Sequence, residues 1–212
     1  MRELLDLVPS GVPVVVLLDY DGTLVPIRRS PDLARLRPER REELRQLGKA
    51  TLVAIVSGRP LAEIRRMVGL PGLAYIGNHG LEVRVKKRTW VHSGPVNRAR
   101  AIARAVEAIK IRTSGLPGIF IEDKGLTASV HFRRASLFHT ALLRAVVTEE
   151  IRRSRGRLVL LRGKKVLEIR PNVPWDKGRG VLELMRLTGG SGSRYPIYIG
   201  DDRTDEDAFR PL

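Results

Sequence analysis

Asp19 and Asp21 stand two residues apart where an apolar run, Val14-Val15-Val16-Leu17-Leu18, gives way to Gly22-Thr23. Five apolar, mostly β-branched residues predict a strand buried on both faces, as in a parallel sheet flanked by helices. Alternation along an extended segment puts residues i and i+2 on one side, so both carboxylates can face one ligand while Tyr20 points away. Ligands of such sheets bind outside the carboxyl ends of the strands, and two acids there fit phosphoryl transfer. Taken alone, Asp-Tyr-Asp-Gly reads equally well as a turn, because Asp and Gly favour turns for purely local reasons.

Three further runs end in polar residues of the same kind. Thr51 to Val56 delivers Ser57-Gly58-Arg59-Pro60, Ala74 to Gly77 reaches Asn78-His79-Gly80, and Pro196 to Gly200 carries Asp201-Asp202. Together with Lys177, this ordered set resembles the haloacid dehalogenase superfamily of phosphatases. The resemblance narrows through Gly77-Asn78-His79-Gly80-Leu81-Glu82, Ile121 to Thr127, Lys165 to Pro171, Trp175-Asp176-Lys177-Gly178 and Gly200 to Phe209. Over nearly the whole chain these segments are similar to the trehalose-6-phosphate phosphatases. Asn78, where that family often has a small residue, is a departure.

The resemblance implies a set of roles. Asp19 is the nucleophile that forms an aspartyl-phosphate, and Asp21 the general acid and base. Mg²⁺ is the implied cofactor, held by the Asp19 carboxylate, the Asp21 backbone carbonyl and Asp201, with Asp202 and Asp205 supporting those ligands. Ser57 donates to the transferring phosphoryl group and Lys177 neutralises its charge. Gly58, Arg59, Asn78 and His79 line the substrate. Glu122, Lys124 and Glu168 match motifs that bind the sugar hydroxyls distal to the phosphate, and Arg133 and Arg170 either assist the sugar or face solvent. For Lys124, beside a turn, the alternative is a solvated hairpin lysine; for His79, a satisfied loop histidine. His92, His131 and His139 read as structural.

The elements that must position these residues alternate at first as strand and helix, which predicts parallel βαβ units. Helical spacing covers Pro38 to Lys49, stopping at Gly48-Lys49, and Leu61 to Val68, with Pro60 in the first turn. From about Gly94 the rhythm becomes helix (Val96 to Ile111), hairpin around Asp123-Lys124-Gly125, helix (Leu137 to Arg153), and hairpin (Arg157 to Leu161 with Lys165 to Arg170). An antiparallel sheet with two helices on one face is expected there. Lys177 to Leu187 is helical, Gly189 to Ser193 a loop, and the run before Asp201 a third buried strand. The expected fold class is therefore α/β: a Rossmann-like parallel-sheet core of the haloacid dehalogenase type, residues 1–93 and 171–212, with an inserted α+β cap domain, residues 94–170. The family's sheet normally runs on past Leu212, which implies C-terminal truncation.

Composition limits the alternatives. The 212 residues carry 39 Lys+Arg against 23 Asp+Glu, a formal charge of +16, which invites nucleic-acid binding. The arginines are spread over nearly every amphipathic segment, aromatics make up only 5%, and no nucleic-acid motif is present, so no nucleic-acid partner is expected. Zero Cys excludes disulfides and thiolate chemistry. No run approaches a membrane span, and Met1 to Leu7, acidic and amphipathic, does not resemble a signal peptide. The reading is a cytoplasmic, Mg²⁺-dependent phosphatase acting on trehalose 6-phosphate, with a trehalose-phosphate synthase as an associating partner. Its rivals are a phosphatase for sucrose phosphate or mannosyl-3-phosphoglycerate, and a non-catalytic, phosphatase-like regulatory module of a trehalose-phosphate synthase.

Overall fold

The structure, a computed structural model, describes residues 11–27, 33–190, 194–210 and 212. The N-terminal amphipathic segment and residues 191–193 of the expected loop lie outside the described residues. The chain divides into two units, Met1–Val91 with Trp175–Leu212, and His92–Pro174.

The first unit is built on a six-stranded sheet. Its strands are β1 (Val14–Asp19), β2 (Leu52–Val56), β3 (Ala74–Gly77), β4 (Glu82–Val85), β5 (Arg88–Val91) and β10 (Tyr195–Ile199), in the order β10-β1-β2-β3-β4-β5. β10, β1, β2 and β3 are parallel, and β4 and β5 are antiparallel additions. β1 is buried on both faces because alternate residues enter different cores. Leu18 joins Val53, Ile55, Leu44, Leu61 and Ile64 on one side, while Val15 and Leu17 join Ala54, Val56, Val181, Leu184 and Ala208 on the other. Thus α1 (Pro38–Ala50) and α2 (Leu61–Val68) cover one face. The helices Lys177–Leu187 and Arg203–Phe209, α6 and α7 in chain order, cover the other. This is the expected α/β parallel-sheet class. Each strand's carboxyl end delivers its motif to one rim of the sheet, where the Asp19, Ser57 and Asn78 turns begin.

Local chemistry sets the ends of these elements. In α2, Leu61, Ile64 and Val68 form the buried stripe, and Gly69 closes the helix in the left-handed region at φ 67°. Pro60 lies at the N-cap, one position before the helix rather than inside it. Three expectations are corrected. Gly48 does not end α1, which runs on to Ala50, with Leu44 and Leu47 just before the weak glycine packed into the core. β10 is partly exposed instead of buried, being the edge strand of the sheet with Ile199 49% exposed. The chain after β4 returns as β5, a hairpin partner the sequence reading omitted because Arg88–Val91 is mostly exposed and carries little apolar signal.

The second unit holds α3 (Ser93–Val96), α4 (Ala99–Thr113), β6 (Phe120–Asp123), β7 (Ala128–His131), α5 (Leu137–Arg153), β8 (Leu158–Gly163) and β9 (Val166–Pro171). The strands form an antiparallel sheet in the order β6-β7-β9-β8. Ile102, Val106 and Ile109 of α4 and Leu143 and Val147 of α5 share one core with Ala128, Val130, Leu167 and Ile169. Both helices therefore lie on one face, as the helix-hairpin repeat predicts. The expected single helix from Val96 is two, since the first turn around Pro95 is separate from α4. Ser136 caps α5 by accepting from the His139 N–H at 3.1 Å.

Candidate active site

At the end of β1, Asp19 is 4% exposed and its Oδ1 accepts a hydrogen bond from Lys177 Nζ at 2.7 Å. Lys177 is the first residue of α6, whose N-terminus Asp176 caps by accepting from the Arg179 N–H at 2.8 Å. The same ammonium donates to Asp205 Oδ1 at 2.7 Å. Asp205, on α7 and fully buried, also accepts from the Tyr198 hydroxyl on Oδ1 at 2.7 Å and from the Asp202 N–H on Oδ2 at 2.9 Å. One lysine thus joins two buried carboxylates, and every acceptor of Asp205 is engaged.

The titration of these groups follows from that packing. Burial pushes the Asp19 carboxyl up to about 7, against the pull of the Lys177 charge and hydrogen bond, with Asp205 and Asp21 adding to the rise. Burial also works to raise Asp205, but Lys177, Tyr198 and the Asp202 amide outweigh it and hold that carboxyl below its ordinary value. Burial opposes the charge on Lys177, yet its two carboxylates raise it above an ordinary lysine. Tyr198 is pushed up by burial and by the Asp205 carboxylate that its proton serves.

Asp19 Oδ2 is buried without a hydrogen-bond partner among the described residues. Asp19, Asp201 and Asp205 each place one carboxylate oxygen within 4.8 Å of the others. A buried, unsatisfied carboxylate oxygen facing a second and third acid fits a hard divalent cation such as Mg²⁺. Since both Asp205 oxygens already accept hydrogen bonds, Asp205 fits a supporting place and Asp19 and Asp201 the direct ones. Asp201 is exposed, and its Oδ1 accepts from the Thr23 hydroxyl at 2.9 Å. Gly22 makes this approach possible: its φ is 110°, and a Cβ there would overlap the Asp201 carboxylate.

Asp21 is placed differently from Asp19. Arg59 forks onto it, Nε to Oδ2 and an Nη to Oδ1, both at 2.8 Å, while its other Nη reaches Glu63 Oε1 at 2.6 Å. Burial disfavours the Arg59 charge, but Asp21 and then Glu63 raise its affinity for the proton beyond that of a free arginine. Ser57 is buried, and its Oγ accepts from the Arg59 N–H at 3.1 Å. The Gly58 position is crowded by the His79 ring, against which a Cβ would collide.

His79 belongs to a strained turn. Asn78, His79 and Gly80 have φ of 46°, 56° and 97°, and for the first two this is a region few L-residues occupy. The turn is held by Asn78 N–H to Arg59 O at 2.7 Å, His79 N–H to Ser57 O at 3.2 Å and Trp175 Nε1–H to Gly80 O at 2.8 Å. Glu82 Oε2 accepts from the Asn78 side-chain amide at 2.6 Å and from the Leu61 N–H at 3.0 Å, tying the turn to the start of α2.

In the second unit, Glu122, Ser129 and Glu168 are direct cross-strand neighbours on β6, β7 and β9. The Ser129 hydroxyl donates to Glu168 Oε1 at 2.8 Å, and His131 Nε2 lies 3.1 Å from Glu122 Oε2. Lys124 Nζ is 3.8 Å from Glu122 Oε2 with its side chain only 7% exposed, so it is not a solvated turn lysine. Arg133 is exposed. Among the network residues that sequence reasoning did not place in a site are Thr23, Glu63, Tyr198 and Glu82 in the first unit and Ser129 in the second, with His131, read as structural, also bonded to Glu122. Tyr198 lies in an apolar run that concealed its hydroxyl, and Ser129, in register with Glu122, and His131, in register with Phe120, alternate with Ala128 and Val130.

The trehalose-phosphatase family profile matches residues 17–212. The chain belongs to the trehalose-phosphatase family. It is 36% identical over 223 residues to trehalose-phosphate phosphatase B of Arabidopsis thaliana, covering 96% of this chain and 57% of that protein. The chain thus spans less than two thirds of the length of this curated family member. A trehalose-6-phosphate phosphatase related protein of known structure superposes with a TM-score of 0.82 at 27% identity, covering 93% of this chain and 82% of that one. A haloacid dehalogenase-like hydrolase from Bacteroides thetaiotaomicron shares the fold, with a TM-score of 0.64 at 17% identity over 92% of this chain and 84% of its own. Within the trehalose-phosphatase family, then, the expected α/β class holds at both the sequence and the fold level.

Proposed function

We propose that this chain hydrolyses trehalose 6-phosphate to trehalose and phosphate. The observation that carries the reading is Asp19: a buried carboxylate at the end of β1 with Lys177 on one oxygen and, among the described residues, no hydrogen-bond partner on the other. Asp19 attacks phosphorus, the bond from phosphorus to the sugar oxygen breaks, and an aspartyl-phosphate forms. Asp21 gives its proton to the departing sugar oxygen. It then takes a proton from the water that attacks the aspartyl-phosphate, which frees Asp19 and phosphate. Because the Arg59 fork engages both Asp21 oxygens, at least one of these contacts must open for the proton to move.

Ser57, buried beside Asp19's strand, and Lys177 serve the transferring phosphoryl oxygens. Asp19, the Asp21 carbonyl and Asp201, with Asp202 and Asp205 in support, would hold Mg²⁺, which would supply charge neutralisation at the phosphate. Gly58, Arg59, Asn78 and His79 shape the phosphate end of the site. The Asn78 amide is already engaged by Glu82, so its contribution is to hold the turn that presents His79.

For the sugar, the row Glu122–Ser129–Glu168 with Lys124 and His131 offers charged and neutral hydrogen-bonding groups, and ionised partners make the stronger hydrogen bonds to hydroxyls. We assign these residues, assisted by Arg133, to recognition of the distal glucose by an inserted cap domain. No helix among the described residues is long and apolar enough to cross a membrane. The reading places the reaction in the cytoplasm, where association with a trehalose-phosphate synthase would supply the substrate.

The test is phosphate release from trehalose 6-phosphate with Mg²⁺, with and without EDTA, against glucose 6-phosphate and sucrose phosphate. Chelator-sensitive hydrolysis fastest with trehalose 6-phosphate is expected. Equal rates on glucose 6-phosphate would remove the specificity claim.

A further inference from the structure

In the second unit, a hollow of about 610 Å³ lies between the first half of α4 and the end of α5, and none of the residues proposed for phosphate transfer or sugar recognition lines it. Arg100 and Arg104 enter it from α4, Arg153 and Arg157 from the end of α5 and the turn after it, with Asn97 and Glu150 between them. Arg100 and Arg104, four residues apart, share one face of α4, while Arg153 is the last residue of α5 and Arg157 follows in the turn. Ala101 and Ala105 also line the hollow, and their short side chains leave the space unfilled.

The charges in this hollow do not cancel. Arg153 is engaged by Glu149 at 2.7 Å and Glu150 at 3.1 Å, and the buried Glu150 also accepts from Arg112 at 2.7 Å. Arg100, Arg104 and Arg157 have no side-chain partner among the described residues. All three are exposed, so their mutual repulsion is partly screened by water and salt, and at low salt their shared field favours an anion between them. The lining contains no aromatic ring, so nothing there would stack on a base. Guanidinium forks match phosphate oxygens in geometry as well as charge.

We propose that this hollow binds a ligand carrying two or three linked phosphate groups, recognised through the phosphate chain alone. A single orthophosphate engages fewer of the three arginines. A nucleoside triphosphate and inorganic tripolyphosphate present the same chain and bind alike.

The experiment is calorimetric titration of the full chain with inorganic tripolyphosphate, ATP and orthophosphate, in EDTA at low salt. A groove pair, Arg104→Glu with Arg157→Glu, is compared with a control pair of exposed arginines in the first unit, Arg35→Glu with Arg66→Glu. Both pairs change the net charge equally, so the general field of the protein is matched. The groove pair weakens tripolyphosphate binding at least about tenfold and the control pair less than about threefold, since at low salt a direct contact outweighs a distant charge. Orthophosphate binds at least about tenfold more weakly than tripolyphosphate, by the loss of paired charges. Equal weakening by both pairs, or none by the groove pair, overturns the proposal, the latter placing the ligand elsewhere. ATP binding tenfold tighter than tripolyphosphate overturns recognition through the phosphate chain alone. If thermal melting shows the groove pair unfolded, Arg104→Gln with Arg157→Gln takes its place and the same outcomes decide.

Discussion

Lys177 holds two carboxylates in a space where none of the three side chains is more than 6% exposed. Removing one partner from such a buried cluster leaves uncompensated charge, so Lys177→Met should lower stability at pH 8 by about 3–5 kcal/mol as well as abolish turnover. Denaturant unfolding with phosphate-release assays measures both. The elevated Asp19 titration makes a separate prediction. Between its ordinary value of 3.8 and about 7, the folded chain keeps a proton that the unfolded chain has lost. The metal-free protein should therefore lose stability as pH rises through that window and level off above it. Asp205, shifted downward, acts in the opposite sense, favouring the fold above 3.8 and losing that contribution only in stronger acid. Melting temperatures in EDTA from pH 5 to 8 should fall, and Asp19→Asn should remove most of the fall; a flat profile for the parent protein contradicts the burial account of Asp19. Asp21→Asn should lower kcat by about 10²- to 10⁴-fold, the usual contribution of a general acid, and lower thermal stability somewhat, because the buried Arg59 loses its forked charged partner and keeps Glu63.

At the scale of elements, the Asn78–Gly80 turn and the start of α6 are fitted against each other. A Cβ on Gly180 would come to 2.5 Å from Gly80 Cα, and one on Gly80 would strike the Asp176 carbonyl. Gly180→Ala should thus cost about 1–3 kcal/mol through overpacking and disturb Lys177 three residues earlier, lowering kcat along with stability. Much of this level was legible in the sequence. Leu61–Val68, Leu137–Arg153 and Lys177–Leu187 fall where apolar spacing puts them, because each buries one continuous stripe or face. What was not legible depended on tertiary context. The burial of Lys124 and the pairing of His131 with Glu122 require knowing which residues become cross-strand neighbours. The Arg59 fork on Asp21 joins residues separated by 38 positions, and nothing in Ser-Gly-Arg itself specifies that partner. Gly48 was misjudged because a local propensity was given weight that packing overrides, and β5 was missed because an exposed edge strand carries little apolar signal.

For the molecule as a whole, the charge of +16 creates a field that attracts an anionic substrate during encounter and is screened by salt. Raising ionic strength from about 0.02 to 0.2 M shortens the Debye length to less than half, so kcat/KM should fall severalfold while kcat holds. The His92–Pro174 unit has a core of its own, so expressed separately it should unfold cooperatively, as a calorimetric scan would register. The proposed hydrolysis runs through one carboxylate, and Asp19→Asn keeps its shape while removing its nucleophilicity. The deciding measurement is phosphate release from trehalose 6-phosphate by the parent chain and by Asp19→Asn, both with saturating Mg²⁺. The account predicts chelator-sensitive turnover by the parent and a loss of at least about 10⁴-fold in the variant, whose melting profile stays cooperative. Comparable turnover by the folded variant would contradict covalent catalysis by Asp19.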